Sequence, residues 1–296
     1  MSAIARAMEV ARSNLYEKRV PRSLRTPAGD VEALAALKSV VGTRCTYGYR
    51  RAAAVANRAR KLAGLKAINH KKAYRLFKAN GLLLPRHTGY IENRHEGKVI
   101  TLQSDVRWCS DGFEFRCWNG DKVYVIFSLD CCDREVIAFE AAVECPTGEM
   151  VRNVMRTSVA ARFGEAAISV PHRVEWLSDN GPQFAADETK RFGKSLGLTV
   201  CNTPAYSPES NGMAEALVKT FKRDYVYVNE LHSAQSVLAL LPAWFDDYNS
   251  VHPHKGLRMM SPRQFRQKQA SRKTGGTQQQ VEAEIVAHKP NAAVVS

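Results

Sequence analysis

The sequence of 296 residues predicts an α/β fold, a mixed five-stranded sheet flanked by helices and preceded by a small, basic all-α domain. Three observations predict it. Residues 1–100 hold 21 Lys and Arg against 6 Asp and Glu, a net of +15, whereas the remaining 196 residues hold 22 against 23. Helical patterns fill the basic part, and β-rich runs begin only after it. Beyond the first three strands, helices and strands alternate, which is the mark of crossovers into parallel pairing.

The length and a hydrophobic content of 45% suffice for one large core and a small satellite domain. No apolar run reaches membrane-spanning length and no signal peptide opens the chain, so a cytoplasmic location is expected. The seven cysteines include no C-x-x-C pair and read as reduced thiols, with a zinc site disfavoured. A basic arm joined to a near-neutral body points to a nucleic-acid-binding module attached to something else.

In chain order, residues 2–16 read as a short helix, a tight connection at Glu9-Val10-Ala11 and a second helix begun near Ser13. That is the latter half of a helix-turn-helix. Lys18 to Asp30 is a basic, Pro-interrupted linker, so residues 1–29 form a first segment. Asp30 is expected to cap a helix over Val31–Val41. Tyr47-Gly48-Tyr49-Arg50-Arg51 leads into an Ala-rich helix, and Asn69 caps another from His70 to Asn80, with Gly81 as the stop. These helices make a small bundle over residues 30–85. Tyr49, Arg50, Arg51, Lys71, Lys72 and Arg75 are its candidate DNA contacts, with Ala73, Leu76 and Phe77 inward.

Residues 86–103 are polar and read as a linker. A compact domain is expected from 104 to 268. Val106–Ser110 is a short strand tipped by Asp111, and Lys122–Leu129 is strongly β. Asp130-Cys131-Cys132-Asp133 is a turn, and Arg134–Glu140 returns. Thr147 caps a helix to Phe163. Val174–Ser178 is a buried strand delivering Asp179 at its tip, followed by a helix over Ala186–Leu196 and a strand over Thr199–Cys201. The stretch Pro204 to Gly212 cannot be helical, and Met213 begins a helix carrying Glu215. A last helix covers Val237–Tyr248, and residues 269–296 form a loose tail.

On a helical wheel Ala214, Leu217, Val218, Phe221 and Tyr225 form the core face, with Glu215, Lys219 and Lys222 together on its rim. By itself that pattern fits an ordinary i, i+4 salt bridge. Asp111 on the first strand and Asp179 on the fourth change its meaning, because adjacent strand ends bring carboxylates together. Three converging carboxylates repel unless cations lie between them. Hard oxygen ligands suit two Mg²⁺ ions, with Mn²⁺ a substitute, and such a pair supports in-line phosphoryl displacement. Lys219, Lys222 and Asn180 are the candidate DNA contacts here. Asp130 and Asp133 compete as the first ligand but bracket a turn, where Asp is ordinary. His252 and His254 read as packing residues.

Trp108-x-x-Asp111, Ser178-Asp179-Asn180-Gly181, the 35 intervening residues and Ser207-Pro208-x-Ser210-Asn211-Gly212-x-x-Glu215, with Lys222 seven on, resemble the DDE integrase core. More narrowly, the chain resembles the second-frame (OrfB) transposases of bacterial insertion sequences. That resemblance extends to Tyr47-Gly48-Tyr49-Arg50-Arg51, Tyr248-Asn249, His252-Pro253-His254 and Ser261-Pro262, and covers roughly residues 30–268. Phe113 departs from it, standing where many members carry Thr. The resemblance implies a ribonuclease H-like fold, divalent metal, and DNA cleavage and strand transfer at element ends. It further implies double-stranded terminal repeats and target DNA as partners, and a homo-oligomer on DNA. An upstream-frame (OrfA) product would supply the missing half of the helix-turn-helix, and the setting would be the bacterial nucleoid. A catalytically silent DNA-binding derivative and a nuclease of the same fold are the alternatives.

Overall fold

The computed structural model describes residues 6–9, 29–85, 101–202 and 212–271. The chain divides into two compact units, Met1–Leu84 and Pro85–Ser296. The expected half of a helix-turn-helix, most of both linkers, residues 203–211 and most of the expected tail lie outside the described residues, residues 6–9 excepted.

The first unit holds α1 (Asp30–Thr43), α2 (Tyr49–Leu62) and α3 (His70–Ala79). Small residues let the three helices approach closely: Ala33, Ala52, Ala56 and Ala73 are buried around Leu37 and Phe77. Asn69 caps α3 as expected, its side chain accepting from the Lys71 N–H. Asp30 does not cap α1. Gly29 takes that position with φ 75°, and Asp30 is the first helical residue. Its carboxylate instead joins α1 to α3 through Lys72 at 3.0 Å and Arg75 at 2.8 Å. The Arg75 contact holds the Asp30 carboxyl below its usual range.

The second unit is built on β1 (Arg107–Arg116), β2 (Lys122–Asp130), β3 (Val136–Ala142), β4 (Val174–Ser178) and β5 (Leu198–Asn202). They form one sheet in the order β3-β2-β1-β4-β5. The first three strands are an antiparallel meander, and β4 and β5 join in parallel. This is the ribonuclease H-like arrangement. β1 is twice the expected length, because its alternation of buried Phe113 and Phe115 with exposed Glu114 and Arg116 continues the ladder to the hairpin. Asp111 therefore lies within the strand and not at its tip. β3 starts later than expected, since residues to Glu135 belong to the turn.

One face of the sheet is covered by α4 (Gly148–Phe163) and α6 (Asp187–Ser195), which bury Trp108, Ile126, Val154 and Trp176. Thr147 caps α4 as expected. The helix expected over Ala186–Leu196 is preceded by a separate turn, α5 (Pro182–Ala185), with Pro182 opening it. The other face is covered by α7 (Gly212–Phe221) and α8 (Ala234–Ser250), over Cys109, Phe113, Phe127 and Phe221. Burial of one such phenylalanine contributes about 1.5–3 kcal/mol. A π-turn, Lys222–Val226, follows α7. The last helix, α9 at 262–271, runs into the stretch read as a tail. Among the described residues, no helix is long and apolar enough to cross a membrane.

Candidate active site

The site follows from strand register. β1 and β4 pair in parallel with Trp108 beside Trp176 and Cys109 beside Leu177. Paired residues in a parallel sheet point to the same face, and successive residues alternate. Trp108 and Trp176 accordingly meet edge to face under α4, with ring centroids 6.4 Å apart. Cys109 and Leu177 turn to the opposite face, under α7 and α8. Two residues on from Cys109, the same parity directs Asp111 towards α7, and Asp179 follows directly on the end of β4. Ser110 and Ser178, of the same parity as the two tryptophans, are buried.

Glu215 arrives from above. Ala214, Leu217 and Phe221 anchor α7 on the sheet. Glu215 sits on the rim of that face with its side chain 40% exposed, 3.9 Å from the Lys219 ammonium. Burial pushes the Asp111 carboxyl up to about 6. The Gly112 N–H opposes that rise, and the charges of Asp179 and Glu215 add to it. The three carboxylates thus share one electrostatic environment.

Local contacts hold each strand carboxylate. Asp111 Oδ1 accepts from the Gly112 N–H at 2.7 Å, and Asp179 Oδ1 accepts from the Gly181 N–H at 3.0 Å. Asn202 Nδ2 donates to the Asp179 carbonyl at 3.0 Å, tying the tip of β4 to the end of β5. Gly112 has a packing reason, since a Cβ there would lie 2.9 Å from buried Ile126 Cδ1. Among the described residues, no three His, Cys, Asp or Glu side chains are gathered into a group that could hold a metal ion as they stand. Asp111 and Asp179 turn towards backbone N–H donors instead.

The candidate DNA contacts divide between the units. Lys222 lies over the Phe113 ring, 5.8 Å from its centroid, two residues along β1 from Asp111. Lys219 and Asn180 are exposed. In the helical unit, Tyr49 packs edge to face on Tyr74, and Arg50 Nε donates to the Tyr49 hydroxyl at 3.1 Å. Arg51 stacks over Tyr47. Lys72 and Arg75 serve Asp30, while Lys71 is exposed.

Asp130 and Asp133 belong to the opposite, N-terminal end of β1, where Trp108 pairs with Asp130. Asp130 Oδ1 closes the turn by accepting from the Cys132 and Asp133 N–H groups at 2.7 and 3.0 Å. Burial, then the neighbouring Asp133, pushes its carboxyl up to about 7. Asp133 receives the buried Arg162 guanidinium at 3.2 Å. Arg162 also reaches Asp105 and Glu135, and Arg263 and Arg266 tie Glu135 to α9. Sequence reasoning missed this charge network, whose members lie far apart in the chain. Asn249 was noticed only as a motif residue. It brackets the edge of the sheet, accepting from Val136 N–H at 2.9 Å and donating to its carbonyl at 2.8 Å. His252 is buried and stacks on Tyr248, with Nδ1 3.7 Å from Asp224.

A family model described as integrase core domain matches residues 102–208, and a second of the same description matches residues 196–262. The chain is 40% identical over 280 residues to the transposase InsD for insertion element IS2A/D/F/H/I/K of Escherichia coli. That alignment covers 91% of this chain and 92% of the relative. The transposase InsD for insertion element IS2D of E. coli strain K12 matches to the same extent. Among solved structures, the catalytic domain of Mos1 mariner transposase is similar at 22% identity and a TM-score of 0.41, covering 48% of this chain and 70% of that one. The catalytic core domain of BIV integrase is similar at 20% identity and a TM-score of 0.38, covering 57% of this chain and 99% of that one.

Proposed function

Because this chain belongs to the family of insertion-element transposases that carry an integrase core domain, we propose that Asp111, Asp179 and Glu215 hold two Mg²⁺ ions and with them cut and join DNA at the ends of its element. The observation that carries this reading is electrostatic proximity. Strand parity turns Asp111 towards α7, and Asp111 feels the charge of both Asp179, directly after β4, and Glu215. The donor set fits. Carboxylate oxygens are the ligands a hard divalent cation takes, and Mn²⁺ is a workable substitute. Bound there, such cations supply activation of a water or 3′-hydroxyl and stabilisation of the leaving oxygen.

The chain's own side chains have other tasks. Lys222, braced on the Phe113 ring, and Lys219 bind phosphates beside the carboxylates. Asn180, next to Asp179 in the turn, lines the approach of the strand. The basic helical bundle at 30–85 holds duplex DNA through Tyr49, Arg50, Arg51 and Lys71. Lys72 and Arg75 add positive field from their pairs with Asp30. The catalytic domain spans 104–268, the chain works as a homo-oligomer on DNA, and an upstream-frame product is a partner. The alternative of a silent DNA-binding derivative is disfavoured by three carboxylates near enough that Asp111 feels the charge of the other two.

The test is metal binding. Mn²⁺ titrated into the full chain and followed by electron paramagnetic resonance should bind at two sites per chain. Asp111→Asn, Asp179→Asn and Glu215→Gln should each weaken that binding at least about tenfold. Undiminished Mn²⁺ affinity in all three variants would remove the carboxylates from the proposed role.

A further inference from the structure

A second site stands at the far end of β1. β4 borders β1 only at Arg107–Cys109. Among the described residues, no strand flanks β1 on that side beyond Asp111. Past Asp111 the strand runs five residues to Arg116, about 17 Å at ~3.3 Å per residue. There a cleft of about 400 Å³ opens, lined by Glu114, Arg116, Trp118, Tyr227, Asn229 and Leu231 among others.

Two of its aromatic residues, Trp118 and Tyr227, are unusual for a surface. Trp118 is 64% exposed and Tyr227 70%. Exposed side chains of this size carry an apolar face into water without return unless something covers it. The tip is also held in place. The Trp118 N–H donates to the Leu231 carbonyl at 2.7 Å, and its ring meets His232 edge on, with centroids 4.9 Å apart. Asp121, in the same hairpin, accepts from the Ala234 N–H at 3.1 Å. Trp118 is therefore presented to solvent on a braced hairpin.

We propose that this cleft is a pocket for one unpaired nucleobase of the DNA strand that passes Asp111. This rests on the reading that the reacting phosphate sits at Asp111. The volume accommodates a base, and indole and phenol faces are platforms on which any base stacks. Arg116 at the rim suits the phosphate of the same nucleotide. The separation from Asp111 places that base a few nucleotides from the reacting phosphate. Holding it out of the stack fixes the register of the strand relative to the carboxylates.

The chain supplies its own reporter. Trp108 and Trp176 are fully buried and Trp244 is 8% exposed, so solvent-sensitive tryptophan emission comes from Trp118. A short single-stranded oligothymidylate, titrated into the full chain without divalent metal, should quench that emission. Trp118→Phe should abolish the quenching and keep most of the affinity. Trp118→Ala should weaken oligothymidylate binding at least about fivefold, the lower end of what one stacked base contributes, and leave blunt-duplex binding unchanged. Unchanged oligothymidylate affinity in Trp118→Ala would overturn the proposal, as would an equal loss on the duplex. So would loss of self-association without loss of oligothymidylate binding, which would make the patch a docking face for a second copy. No cleavage and no metal enter this readout, so its failure leaves the assignment of the three carboxylates standing.

Discussion

A carboxyl that ordinarily titrates near 4 is held at about 6 at Asp111, by burial first and by Asp179 and Glu215 after it. The sign of the consequence is definite. The folded chain keeps a proton that the unfolded chain has already released. Stability at this position is therefore full below about pH 4 and is lost as pH climbs through about 6. Asp111→Asn removes the charge that causes the loss. In chelator, the variant should melt about 2–6 °C above the parent at pH 8 and level with it at pH 4. Thermal scans at the two values check this. Equal melting at both would mean that the carboxylate pays no such penalty.

Among the elements, α8 shows how one side chain aligns a helix with a sheet. Asn249 satisfies both backbone groups of Val136 on the outer strand, and it is almost wholly buried. Asn249→Ala leaves a buried donor and acceptor unpaired, at about 1–3 kcal/mol each. Denaturant unfolding should show a loss of roughly 2–5 kcal/mol, and a loss under about 0.5 would show that water replaces the bracket. The motif Tyr248-Asn249 was legible in the sequence, but its partner was not, because Val136 lies 113 residues away. The same limit divides the rest of the fold. Val174–Ser178 announced itself by a local apolar pattern. The full length of β1 depended on pairing with β2, and the π-turn at Lys222–Val226 left no local signal. Asp111 and Asp179 could be picked out as strand carboxylates, yet the pairing of β1 with β4 that brings them near each other is a matter of register, which single-sequence periodicity does not contain. The ion network around Arg162 draws on Asp105, Asp133 and Glu135 and was invisible for the same reason.

Over the whole molecule, charge and chemistry are separated along the chain. The first hundred residues carry the net charge of +15, and the carboxylates lie in the near-neutral remainder. DNA affinity should therefore come mostly from phosphate neutralisation in the basic part, with its steep dependence on salt. Cutting and joining should depend on the three carboxylates. The most direct test is a paired assay of the parent chain and Asp179→Asn on the same end DNA, at several salt concentrations with Mg²⁺ present. The account predicts that the two bind DNA with the same affinity and the same salt slope, while the variant cleaves and joins at least about a thousandfold more slowly. Substantial Mg²⁺-dependent cleavage by Asp179→Asn, with binding intact, would contradict it.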